Sequence, residues 1–373
     1  MEKIKNIYIN HRIRLLKYKT QYKQRSVEWY LQRKKLITAS EASSCLVKTK
    51  GVMNPYLKSY NQKLMKKDNL DTSCNPYMKI NDFYLKKCGF VPFKGNIATR
   101  HGQKFEDVAS NIYSLLFQTK VLEFGLLKHD TLHWLGASPD GITEKGVMLE
   151  IKCPYRRKIT GIAPFYYWVQ VQLQLEVCDL DYCDFLECSL DQSALQYTTL
   201  NHFMKIQTSG VLIEDIFDKF GEDKKKFPDS FFLKKGVFIM QRVVRSNFEA
   251  KDYDNDYIYY YPSFEISEDI LLLLEWVHKK TKEIRSALTI QRAWKNKNKN
   301  YFIRPVFWYL KDIHVSRIKR NKEWFKKAKP FLFNAYNEMK LHQKENGEKL
   351  NKGKLLEEEE EDKFESLSHI CFF

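Results

Sequence analysis

The stretch Val147-Met148-Leu149-Glu150-Ile151-Lys152-Cys153 alternates its side chains with the period of a β-strand. That geometry puts Val147, Leu149, Ile151 and Cys153 on one face and Glu150 with Lys152 on the other. The apolar face packs, so the charged pair projects together from the opposite side. Ten residues before Glu150, Asp140 sits in the turn Ser138-Pro139-Asp140-Gly141, at the end of a preceding strand. A hairpin of that length returns the chain so that Asp140 and Glu150 lie side by side. Two carboxylates held that close repel unless a cation sits between them. Their oxygens suit Mg²⁺, with Mn²⁺ as a substitute, and the Ile151 carbonyl and waters can complete an octahedron. Lys152 would stand beside a metal-bound water and stabilise developing negative charge, as phosphodiester hydrolysis requires. Taken alone, the pattern also fits a solvated strand face.

Outward from this strand, Phe105, Val108, Ala109, Ile112, Leu115 and Leu116 recur at three- and four-residue spacing, which predicts an amphipathic helix after Gly102. Strands are predicted at Val121 to Leu127, His133 to Ala137 and Val147 to Cys153. A helix from Pro164 to about Val177 and a strand at Tyr182 to Cys188 follow. Together they make a mixed α/β core. Upstream, Ser26 caps a helix carrying Trp29 and Leu31, and Ser40 caps a second one reaching Leu46. Residues 1–24 are basic, lack a core-facing period and read as an arm. Residues 206–300 read as an insertion or subdomain with strands at Val237 to Val244 and Tyr257 to Tyr261 and a helix over Ile266 to Ile284. Ala287 to Asn300 reads as a basic amphipathic helix. Phe302 to Leu310 reads as a strand and Lys322 to Met339 as a closing helix. The acidic tail, 345–373, with Glu357 to Glu361 in succession, reads as disordered.

Lys and Arg number 63 against 46 acids, a formal net charge of +17. The tail itself is net −5, so the remainder carries +22. Such a field favours polyanions, of which nucleic acid is the commonest soluble one, although an AT-rich genome also raises the Lys count. Eight cysteines without a signal peptide read as reduced thiols of an intracellular protein. No apolar run approaches the roughly 20 residues that a membrane-crossing helix needs. Cys178, Cys183 and Cys188 are spaced by five but lack the tight pair of an iron–sulfur motif, and His133 beside Trp134 reads as packing.

Asp140, Glu150 and Lys152 form the Asp-(x9)-Glu-x-Lys pattern of PD-(D/E)xK nucleases, and the flanking text narrows the match. Arg33 with Ile37-Thr38-Ala39-Ser40-Glu41, Gly102-Gln103-Lys104-Phe105-Glu106, Ala137-Ser138-Pro139-Asp140-Gly141, Leu149-Glu150-Ile151-Lys152-Cys153-Pro154 and Gln170-Val171-Gln172 resemble, in order and spacing, the lambda exonuclease and YqaJ-type viral recombinase family. Ile318 to Pro330 resembles the family's closing strand-to-helix segment. The resemblance spans about 25–205 and 303–342. It implies a restriction-endonuclease-like core at 25–205, a mixed central sheet flanked by helices, completed by 301–344, in a large-DNA-virus protein.

The resemblance implies that Asp140, Glu150 and the Ile151 carbonyl bind metal and that Lys152 activates the water. It also implies that Glu106 supports a second metal or the nucleophile, that Gln170 orients Lys152 or the water, and that Arg33 and Ser40 grip a 5′-terminal phosphate. A guanidinium fork suits a pair of phosphate oxygens, although Arg33 beside Lys34 and Lys35 also reads as a basic helix face. Gln172 and Gln174 read as structural. The expected function is a Mg²⁺-dependent 5′-to-3′ exonuclease on double-stranded DNA, leaving 3′ single strands for an annealing protein in recombination or viral DNA processing. A homotrimer is implied, acting in host cytoplasm, a viral replication site or the nucleus. The rivals are an endonuclease or alkaline nuclease acting on DNA or RNA, and a catalytically inactive DNA-end-binding module.

Overall fold

The computed structural model describes residues 2–46, 74–91, 96–192, 235–242, 257–263, 270–295 and 303–368. Its helices are α1 (Glu2–Tyr18), α2 (Val27–Lys34), α3 (Ile80–Cys88), α4 (Ile97–Phe117), α5 (Phe165–Cys178), α6 (Ile270–Lys295) and α7 (Lys322–Ser368). Its strands are β1 (Ile37–Thr38), β2 (Val121–Leu122), β3 (Leu127–Lys128), β4 (Leu135–Ala137), β5 (Gly141–Thr143), β6 (Met148–Lys152), β7 (Tyr182–Gln192), β8 (Lys235–Arg242), β9 (Tyr257–Tyr260) and β10 (Ile303–Lys319). A 3-10 helix covers Ala39–Cys45.

Seven strands form one mixed sheet in the order β2-β5-β6-β7-β10-β8-β9, and β1-β4-β3 form a smaller one. β6 pairs antiparallel with β5, Gly141 opposite Leu149, and parallel with β7, Lys152 opposite Glu187. A parallel neighbour requires a crossover, and α5 supplies it. Helices cover both faces of the sheet. On one, Met148, Cys183 and Phe185 share a core with Trp168, Val169 and Leu173 of α5 and with Trp324 and Phe325 of α7. On the other, Leu149, Ile151, Cys153, Leu186 and Cys188 pack with Phe105, Val108 and Ile112 of α4. The face carrying Glu150 therefore lies beneath α5 rather than in open water, and Glu150 is fully buried.

Helix α4 buries the predicted positions 105, 108, 109 and 112 and is capped by Asn96, which accepts from the Thr99 amide at 2.8 Å. Ser26 caps α2 by accepting from the Trp29 amide, as its sequence position suggested. Ser40 caps nothing: it lies inside the 3-10 turn, where Thr38 is the N-cap, and its hydroxyl accepts from Arg33.

Other segments depart from the sequence expectation. Residues 2–18 form a helix, not an irregular arm, because Ile13 and Leu16 reach the core and Arg12 is held by the Cys178 carbonyl at 2.7 Å and by Asp130. The expected strand over Val121 to Leu127 breaks into β2 and β3, which belong to different sheets. Between them Gly125 approaches Tyr22 so closely that a Cβ would stand 2.1 Å from its carbonyl oxygen, and the Gly125 amide donates to Gln21. Within 206–300, β8 and β9 extend the main sheet beyond β10, and one helix covers Ile270 to Lys295 where two were expected. The remainder of that stretch, 206–234, 243–256, 264–269 and 296–300, lies outside the described residues. Helix α7 continues to Ser368 through the segment expected to be disordered, in keeping with the helix preference of its Glu, Lys and Leu residues. Among the described residues no helix is long and apolar enough to cross a membrane.

Candidate active site

The register of β5 on β6 carries the chain so that Asp140 comes up against the end of β6, where its Oδ2 accepts from the Ile151 amide at 2.7 Å. Gly141 permits the neighbouring strand: a Cβ there would meet Val121 Cγ1 at 2.2 Å, so any side chain would push β2 from β5 and disturb the turn that holds Asp140. Glu150 is fully buried and receives three donors. Gln170 Nε2 donates to Oε1 at 2.7 Å, Gln174 Nε2 donates to Oε2 at 2.6 Å, and the Lys152 ammonium pairs with Oε1. Gln170 therefore bonds the same Glu150 oxygen that pairs with Lys152. Gln174, expected to be structural, holds the same carboxylate from one turn further along α5, while Gln172 bonds Lys319 O and Asn321 N at the corner between β10 and α7.

The charges are crowded. Burial, then the charges of Glu150 and Glu106, push the Asp140 carboxyl well above its usual range, against the pull of Lys152 and the Ile151 amide. Burial works to neutralise Lys152, but Glu150 and Asp140 outweigh it and hold the ammonium charged. Lys152 also lies 4.9 Å over the Tyr167 ring.

Asp140, Ile151, Lys152 and Glu106 line a cleft of about 590 Å³, with Gly102 and Gln103 of α4, Arg156, Arg157 and four tyrosines, Tyr77, Tyr155, Tyr166 and Tyr167, at its walls. Arg157 is paired to the buried Glu187 of β7. Among the described residues no three His, Cys, Asp or Glu side chains converge to hold an ion unaided. The side chains that do come together at the end of β6 are carboxylates, Asp140 and Glu150, and the third carboxylate, Glu106, is tied to Arg25 at 2.6 Å. A group of carboxylates in which burial and then the charges of Glu150 and Glu106 raise Asp140, with Lys152 as the nearest counterion, fits a hard divalent cation.

A second pocket of about 330 Å³ adjoins the first and shares Gln103 with it. Arg25, Arg33, Lys34, Lys86 and Ser40 line it. Arg33 Nη2 donates to Ser40 Oγ at 3.0 Å, and the guanidinium lies 4.4 Å over the Trp29 ring. Below it Lys87, almost fully buried, donates to the Arg33 and Leu36 carbonyls and to Glu41 at 2.6, 2.8 and 2.7 Å. Burial favours the neutral acid of Glu41, yet Lys87 and Arg33 overcome it and hold the carboxyl below its usual range.

The structure thus brings Asp140, Ile151, Lys152 and Glu106 to one cleft, with Glu150 and Gln170 bonded together behind Lys152, and Arg33 with Ser40 to the pocket beside it. Sequence reasoning missed Arg25, Lys87 and Gln174. The signal for Gln174 was its place one helical turn after Gln170; the other two carry no local signature.

The model of the YqaJ-like viral recombinase domain matches residues 28–181, from α2 to the threshold of β7. It is 27% identical over 346 residues to the uncharacterized protein R354 of Acanthamoeba polyphaga mimivirus, covering 87% of this chain and 53% of that one. The chain therefore spans about half the length of this curated relative. Among solved structures it is similar to the alkaline exonuclease LHK-Exo of Laribacter hongkongensis, with TM-score 0.42 and 15% identity over 88% of this chain and 99% of that one. It is also similar to a phage-related exonuclease of Haemophilus somnus 129PT, with TM-score 0.38 and 10% identity over 84% and 96%.

Proposed function

We propose that this chain is a divalent-cation-dependent nuclease that degrades double-stranded DNA from a 5′ end. The observation that carries this reading is a cleft lined by Asp140 and Lys152, with the buried Glu150 paired to Lys152, that adjoins a basic pocket lined by Arg33 and Ser40. Asp140, Glu150 and the Ile151 carbonyl would hold Mg²⁺ or Mn²⁺, which when bound supplies Lewis-acid activation of the phosphorus and a lowered pKa for water. The protein's own groups do the rest. Gln170 and Gln174 fix the Glu150 carboxylate, so its oxygens need no reorganisation as charge develops. Lys152, held charged by the carboxylates, stabilises negative charge at the scissile phosphate. Arg33 and Ser40 hold the terminal phosphate and so set which bond lies in the cleft.

In this reading the product is a 3′ single strand, suited to a single-strand annealing protein, and the assembly is the homotrimer that the family resemblance implies. The test is digestion of end-labelled linear duplex beside covalently closed circular DNA, with Mg²⁺ and with chelator. Degradation of the linear form alone, dependent on Mg²⁺, is expected. Efficient nicking of the circle would favour an endonuclease, and cleavage of neither form would favour an end-binding module.

A further inference from the structure

Arg25 stands directly before the Ser26 cap of α2 with φ 68°, in the left-handed region that residues with a Cβ rarely adopt. Glycine would fit this turn without strain, so what an arginine adds is its side chain. The guanidinium lines the Arg33 pocket, while its Nη2 lies 2.6 Å from Oε2 of Glu106, which lines the carboxylate cleft. The charge of Asp140 pulls on Arg25 as well. Arg25 is thus a wall shared by a pocket suited to an anion and a cleft suited to a cation.

We propose that Arg25 is a positioning residue that couples the two pockets. In the free protein it neutralises Glu106. When a terminal phosphate enters beside Arg33, Arg25 turns to its oxygens and leaves the Glu106 carboxylate to face the cation. A dication near Glu106 and Asp140 weakens the hold of those groups on Arg25, and a phosphate attracts it, so each ligand favours the displaced arginine. Two ligands that favour one state bind with positive, reciprocal coupling. This inference rests on the function proposed above.

The test is Mn²⁺ affinity, read from the electron paramagnetic resonance of the free ion. Wild type is compared with Arg25→Gly, which relieves the backbone strain and so keeps the fold, and with Arg25→Lys. The probes are a short duplex with an uncharged methylphosphonate first linkage and either a 5′-phosphate or a 5′-hydroxyl end. Without DNA, Arg25→Gly is expected to bind Mn²⁺ about three- to tenfold more tightly than wild type, the range of a modest coupling. The phosphorylated probe should tighten Mn²⁺ binding by a similar factor in wild type and not in Arg25→Gly, with Arg25→Lys between them. Equal or weaker Mn²⁺ binding by Arg25→Gly, or an equal effect of the phosphorylated end in both proteins, would overturn the coupling alone. Absence of Mn²⁺ binding in every protein would remove the metal reading and the coupling with it.

Discussion

Gln174 donates through Nε2 to Oε2 of Glu150 at 2.6 Å, so a fully buried carboxylate is gripped by an amide one helical turn beyond the one predicted to work there. Removing one of its three donors leaves one oxygen of a buried charge without its hydrogen bond, at a cost of about 2 kcal/mol. Gln174→Leu should therefore lower the melting temperature and slow DNA cleavage. In a Glu150→Gln background its effect on stability should shrink, because the partner charge is gone. A thermal-denaturation double-mutant cycle measures this, and additive effects would detach Gln174 from Glu150.

Glu150→Gln and Lys152→Ala should each reduce turnover by about a hundredfold or more, on the order of 3 kcal/mol of transition-state stabilisation, with DNA affinity largely retained. Single-turnover cleavage beside a binding titration separates the two quantities. Near wild-type cleavage by either variant would remove that residue from the reacting centre.

Lys87→Met should destabilise the protein by about 3 kcal/mol or more, because it strands Glu41 beneath Arg33 and leaves two carbonyls without their donor. The prediction is checked by urea unfolding. A variant as stable as wild type would mean that the buried ammonium contributes no net support to the pocket.

Arg320 ties Glu176 at 2.7 Å and Asp179 at 2.6 Å where β10 meets α7. Burial would raise both carboxyls, but the bonds from His129 and Arg320 to Glu176, and from Arg320 and Tyr8 to Asp179, hold them below their usual range. Their folded pKa values are depressed, so the stability they contribute is present above the ordinary carboxylate range, about pH 4, and is lost as pH falls through the folded values. Arg320→Met should move the acid-unfolding midpoint upward, while leaving unfolding near pH 10 comparatively less changed in its pH slope. An unchanged acid midpoint would contradict the assignment.

The parts of this architecture written in local periodicity were legible. The two-residue alternation of 147–153 and the three- and four-residue spacing of 105–112 give β6 and α4, and the ten-residue interval from Asp140 to Glu150 matches the β5–β6 hairpin. Contacts between distant segments were not. Helix α1 is dense in Lys and Arg, so its few core residues show no stripe, and what anchors it is the reach of Arg12 to Cys178 and Asp130. Arg25 finds Glu106 across 81 positions and Lys87 finds Glu41 across 46, pairings that no short-range pattern encodes. The position of β8 and β9 beyond β10 depends on strand order, which hydrophobic alternation leaves undetermined.

The central claim is that a terminal phosphate, held by Arg33 and Ser40, delivers the scissile bond to the adjacent carboxylate cleft. It is tested most directly by the Mg²⁺-dependent degradation rates of a 5′-phosphorylated linear duplex and its 5′-hydroxyl twin, in wild type and in Arg33→Ala. The account predicts that wild type degrades the phosphorylated end about ten- to a hundredfold faster, the worth of one charge-assisted contact, and that Arg33→Ala narrows the gap. Equal rates on the two ends in wild type would contradict it.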